Sequence, residues 1–187
     1  MYKRQVHGGD FVNAFWNGSN ATFGDGDCNS GPLTTLEVVA HEFTHGLTDY
    51  TSQLIYQEES GAINESMSDV FGKALEYYED PDNFKWTIGD SFIETPYTDA
   101  FRSMEDPNSF ELPALYKGEY WFDGGGVHTN SAIGNHWFYF LVEGGTGTNE
   151  VDYTYSIDAI GMEKAMQIVF LTQSTALTAN SLSLIHI

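Results

Sequence analysis

The chain has 187 residues, long enough for one sizeable domain or two small lobes. Its 41% apolar and 15% aromatic content excludes a disordered chain and points to a packed one. Seven basic against 27 acidic residues leave a formal charge of −20, which excludes a nucleic-acid partner because phosphate recognition needs a basic surface. No apolar run approaches the ~18 residues of a membrane span, so no membrane partner is expected. The carboxylates serve mainly to solvate the surface, although such clusters also hold calcium. The single cysteine, Cys28, has no internal disulfide partner.

Residues 1–5 and 182–187 join abruptly to their neighbours and read as non-native ends, with residues 6–181 a fragment of a longer protein. Residues 6–34 alternate short aromatic pieces with Gly and Asn, and Asn17-Gly18 predicts a hairpin turn. Gly31-Pro32 breaks the chain, and Thr34 or Thr35 can cap a helix over 35–50. Leu36, Val39, Ala40, Phe43 and Leu47 supply its apolar stripe. A second helix follows Gly61-Ala62-Ile63, burying Met67, Val70, Phe71, Ala74 and Leu75, and ends before Asp80-Pro81. Residues 82–127 read as loops. An aromatic-rich helix is expected over 130–142, then a Gly-rich loop, then a helix over 156–172 with Ile157, Ile160, Ala165, Ile168 and Val169 inward.

The first helix carries His41-Glu42-Phe43-Thr44-His45. Histidines four apart project from one helical face and suit a zinc ion, and Glu42 beside them can take a proton from water at the metal. A third ligand must come from another element. Glu65 is the candidate, in Asn64-Glu65-Ser66-Met67-Ser68-Asp69, with Asp69 one turn further on the same face to accept the N–H of a ligating histidine. Two histidines and one glutamate leave a coordination position open, as a catalytic site requires.

In order and rough spacing, several segments resemble the thermolysin-like neutral zinc metalloproteases. They are Asn13-Ala14-Phe15-Trp16-Asn17-Gly18, Gly24-Asp25-Gly26-Asp27, Val38-Val39-Ala40-His41-Glu42, Thr48-Asp49-Tyr50-Thr51 and Glu59-Ser60-Gly61-Ala62-Ile63-Asn64-Glu65. Tyr56, Arg102-Ser103-Met104 and Gly125-Gly126-Val127-His128-Thr129-Asn130-Ser131 complete the set. The resemblance implies an α+β, two-lobe metalloprotease. Residues 6–34 would end a β-rich amino-terminal lobe, 35–50 would form the central zinc-binding helix, and 51–181 most of a mainly helical carboxy-terminal lobe. It implies zinc on His41, His45 and Glu65, Glu42 as proton carrier, and Asp69 and Asn64 behind the ligands. His128 and Tyr56 would stabilise the oxyanion, with Asp123 orienting His128. Asn13, Ala14 and Arg102 would hold substrate, and Val38, Leu33 and Phe101 would line an apolar pocket.

Calcium is an open matter. The resemblance puts Glu37 and Glu76 in a calcium cluster, yet Lys85 stands where an aspartate is expected, so a Lys85 ion pair and a retained ion are both compatible. The implied activity is a secreted, extracellular, monomeric endopeptidase made as a zymogen, cutting polypeptides on the amino side of bulky apolar residues. A zinc aminopeptidase and an inactive zinc-binding fragment are the competing readings.

Overall fold

The computed structural model describes residues 2–5, 10–28, 30–90 and 100–181. Strands β1 (Tyr2–Gln5), β2 (Ala14–Trp16) and β3 (Asn20–Phe23) form a sheet in the order β1-β3-β2, so residues set apart above as a non-native end supply one edge. The expected hairpin joins β2 to β3. Asn17 Oδ1 accepts the N–H groups of Ser19 and Asn20 at 3.0 and 2.8 Å, and Gly18 takes φ 89°, which a residue without Cβ adopts freely. β2 pairs only with β3 among the described residues, so its other edge is unpaired.

Helix α1 (Leu36–Tyr50) begins at Thr35 as expected, but no side-chain cap bond forms there. Its fully buried positions are Glu37, Glu42, Thr44, Gly46 and Thr48, while Leu36 is 40% exposed. The apolar stripe is therefore the half-buried side, because the face turned into the protein carries the polar site. Helix α2 (Glu58–Glu79) starts three residues earlier than Gly61 and is the central element, buried almost continuously from Gly61 to Val70. Leu75, expected inside, is exposed, and Lys73 is fully buried in its stead.

Two glycines set the helix spacing. A Cβ on Gly72 would lie 2.8 Å from the Glu37 carbonyl oxygen of α1, and one on Gly134 would lie 2.3 Å from Ser66 Oγ of α2. Helix α3 (Val127–Glu143) thus packs tightly on α2, and it begins three residues before the expected start, which brings His128 into its first turn.

Residues 82–127 hold a short pair, β4 (Thr87–Ile88) with β5 (Arg102–Ser103), and a 3-10 turn at Pro107–Phe110. The helix expected over 156–172 forms as α4 (Met162–Leu171) but starts later, because a hairpin of β6 (Gly145–Thr148) with β7 (Thr154–Ile157) takes its first residues. Ile157 belongs to β7, and Gly161 at φ 78° separates strand from helix. Glycines in β6 hid the strand, since strand propensity rests on branched and aromatic side chains. Gln173 then donates to Thr48 Oγ1 at 2.6 Å, tying the end of α4 to α1.

The apolar core lies between α2, α3 and α4, around Met67, Val70, Met104, Phe138, Ala165 and Val169. Trp86 packs edge-on against Phe138, with ring centres 6.1 Å apart. Truncating the fully buried Phe138 to alanine is expected to cost about 3–5 kcal/mol, read as a shifted urea midpoint. A loss below about 1 kcal/mol would place the core elsewhere.

Candidate functional site

Three helices and two loops converge on one point. On α1, His41 and His45 sit one turn apart with their Nε2 atoms 3.1 Å from each other. From α2, Glu65 Oε2 lies 3.5 Å from His41 Nε2 and Oε1 lies 3.4 Å from His45 Nε2. One ligand atom from each residue thus falls within 4.8 Å of the other two.

The Nδ1 atoms are tied back. His41 Nδ1 donates to Asp69 Oδ1 at 2.9 Å, and His45 Nδ1 donates to Asn64 Oδ1 at 2.8 Å with Ser68 Oγ 3.2 Å away. An oxygen acceptor at each Nδ1 assigns its proton there and leaves the Nε2 lone pair for a metal. Two imidazole nitrogens and a carboxylate oxygen, so oriented, fit zinc in a site that keeps a position open.

Without a metal, charge balances within the cluster. Burial opposes a charge on His41, but hydrogen bonds to Asp69 and Glu65 outweigh it and push its pKa up to about 10. Burial and the His41 charge lower that of His45. Glu65 is held well below the usual carboxylate range, since hydrogen bonds from His128 and His41 overcome its burial. Asp69 behaves likewise at about 2, where the Arg102 guanidinium at 2.8 Å and the His41 contact overcome burial.

Glu42 is buried, its carboxyl pushed up to about 7 mainly by desolvation, and its Oε2 has no hydrogen-bond partner. Tyr56 donates to Glu65 Oε1 at 2.5 Å, and its hydroxyl lies 3.3 Å from His128 Nε2. Burial, then the Glu65 charge, raises the Tyr56 pKa and keeps it a phenol. His128 Nδ1 faces Glu65 Oε2 at 2.9 Å. Asp123, expected beside His128, instead accepts the Trp121 indole N–H at 2.8 Å. The carboxylate that faces His128 is Glu65, from α2.

A cleft of about 260 Å³ joins His41, Glu42 and His128 to Asn13, Ala14 and Arg102. Val38, Leu33 and Phe101 border it too. A larger cavity of about 810 Å³ lies against another face of α2, around Ser66, Trp121 and Trp137, and the zinc-ligand candidates do not line it. Chemistry belongs to the smaller cleft, where the titratable groups converge.

Beside this cleft lies the second acidic cluster, and there the Lys85 reading needs correction. Lys85 reaches Asp90 at 2.9 Å. The cation between Glu37 and Glu76 is Lys73, whose Nζ bonds Glu76, stands 3.4 Å from Glu37 Oε2 and donates to the Thr87 carbonyl at 2.7 Å. Glu37 Oε1 also accepts the Gly89 N–H at 2.8 Å. Burial raises the Glu37 pKa to about 7 in spite of Lys73. Glu37, Glu76 and Asp90 nevertheless offer oxygens within 4.8 Å of one another. Lys73 escaped the sequence reading although it precedes Glu76 by one helical turn, a spacing that brings side chains together. Asn135 also escaped it, though it follows His128 by two turns on the same face of α3.

His41 and His45 on α1 and Glu65 on α2 form a group able to hold a metal ion, and His128 and the buried Glu42 line the same cleft, an arrangement of the kind metallopeptidases use. The catalytic-domain model of the thermolysin metallopeptidase family matches residues 1–49, and the model of its alpha-helical domain matches residues 52–182. The chain belongs to this family. It is 45% identical over 181 residues to the thermostable neutral protease NprT of Geobacillus stearothermophilus, covering 94% of this chain and 32% of that protein. Thermolysin of Alicyclobacillus acidocaldarius gives the same identity and coverage, and bacillolysin of Bacillus cereus is 43% identical over 188 residues. The chain thus spans about a third of the length of these relatives. The protealysin precursor of Serratia proteamaculans superimposes with a TM-score of 0.75 at 30% identity, covering 96% of this chain and 57% of that one.

Proposed function

We propose that the chain carries the catalytic centre of a secreted, monomeric zinc endopeptidase that cuts polypeptides on the amino side of bulky apolar residues. The observation that carries this is the convergence of His41, His45 and Glu65 with their outer nitrogens already occupied. Secretion and a zymogen stage rest on the family. Among the described residues no helix is long and apolar enough to cross a membrane.

Zinc held by His41, His45 and Glu65 would supply Lewis acidity, acidifying a water and polarising the scissile carbonyl. Glu42 would accept a proton from the attacking water as its oxygen bonds the carbonyl carbon, and would return it to the amide nitrogen as the C–N bond breaks. Tyr56 and His128 donate to the oxygen on which negative charge develops. Both bond Glu65, which holds them beside the residues that would carry the metal. The edge of β2 away from β3 can pair with an extended substrate backbone once the Ala14 N–H leaves Asn13 Oδ1, and Arg102 borders the same cleft. Leu33, Val38 and Phe101 give the cleft an apolar wall suited to a Leu or Phe side chain. In the second cluster, Lys73 supplies the positive charge that calcium would otherwise bring.

Metal analysis together with a blocked internal peptide tests the reading. One zinc per chain and cleavage before Leu or Phe are expected. Cleavage that demands a free amino terminus would indicate an aminopeptidase, and zinc without cleavage an inactive module.

A further inference from the structure

Asp69 stands behind His41, and the way its carboxylate is held assigns a role to a residue on a third helix. Oδ1 accepts from two donors, His41 Nδ1 at 2.9 Å and an Arg102 terminal nitrogen at 2.8 Å. Oδ2 accepts from Asn135 Nδ2 at 2.7 Å. Asp69 and Asn135 are 2% and 1% exposed, so no solvent competes for these oxygens.

Arg102 uses only part of its fork on Asp69, and its Nε is buried with no hydrogen-bond partner. A guanidinium beside a carboxylate prefers to engage both oxygens in parallel. Rotation of the Asp69 carboxylate would let Arg102 do so and would draw Oδ1 off the line to His41. Asn135 pins Oδ2 and opposes that rotation. We propose that Asn135 is a positioning residue: through Asp69 it sets the orientation and tautomer of the His41 ring, and with them the zinc affinity of the site. Outer partners of this kind change metal affinity by about 10- to 100-fold when removed. The inference rests on the zinc reading of the preceding section.

The test is the zinc dissociation constant, measured by chelator competition on the full chain, with the melting temperature read alongside. Asn135→Ala is expected to weaken zinc about tenfold. Asn135→Leu keeps much of the shape and removes the donor without adding a charge, and it is expected to weaken zinc about as much. Arg102→Lys retains the charge but cannot fork, so in that background the Asn135→Ala effect should shrink to about threefold or less. A role in packing alone predicts unchanged zinc affinity for Asn135→Leu, or an Asn135→Ala loss of equal size in both Arg102 backgrounds, and either result overturns the proposal. If the wild-type chain takes up no zinc, the zinc reading falls together with it. A wild type that binds zinc beside variants that bind equally overturns the positioning role alone.

Discussion

Replacing Glu42 by glutamine is expected to lower the turnover of a blocked peptide by about 10²- to 10⁴-fold while leaving one zinc per chain. The amide has the shape of the carboxyl but cannot accept a proton at neutral pH. Zinc should be retained because Glu42 is not among the three residues whose ligand atoms cluster. Folding should survive because glutamine keeps an amide oxygen able to accept the Trp16 backbone N–H, and Glu42 Oε2 makes no hydrogen bond to lose. The two readouts separate the alternatives. A fall of less than about threefold would remove Glu42 from the proton path. Loss of zinc with activity would make it a structural support of the metal site.

Replacing Lys73 by alanine should damage the fold instead of the chemistry. Its ammonium is fully buried between Glu37 and Glu76, so removal leaves the buried Glu37 carboxylate and the partly buried Glu76 without a counter-charge. Breaking such a pair costs about 3–5 kcal/mol, or a melting point lower by roughly 10 °C in a chain of this size. Calcium at millimolar concentration should recover much of that loss in Lys73→Ala, because oxygens of Glu37, Glu76 and Asp90 already lie within reach of one ion. The wild-type melting point should be indifferent to calcium and to a calcium chelator. Wild-type stabilisation by calcium equal to that of the variant would show that Lys73 does not take the ion's place. Calorimetric binding of calcium to the wild type, abolished by Glu76→Ala, would show the same.

Much of the site was legible because helices repeat. His41 and His45 at a spacing of four, and Glu65 with Asp69 at the same spacing, needed only the helical period to be placed on common faces. The Asn17-Gly18 turn was equally local, since its backbone bonds close within three residues. Misreadings arose where long-range contacts override local pattern. α1 reads as an amphipathic helix, yet it buries Glu37 and Thr48, because the partners of those groups lie on α2, in the 87–89 segment and near residue 173. The 156–172 segment shows helical periodicity, but pairing with a glycine strand outweighs it up to Ile157.

The sequence by itself determined the candidate ligand types, their spacing on each helix and the acidic balance that argues against nucleic acid. Only the tertiary structure decided which lysine sits between Glu37 and Glu76, that Glu65 and not Asp123 faces His128, and that Asn135 grips Asp69. The physical reason is the same in each case. Spacing along a helix fixes which way a side chain points, whereas its partner depends on how closely two helices approach, here set by Gly72 and Gly134.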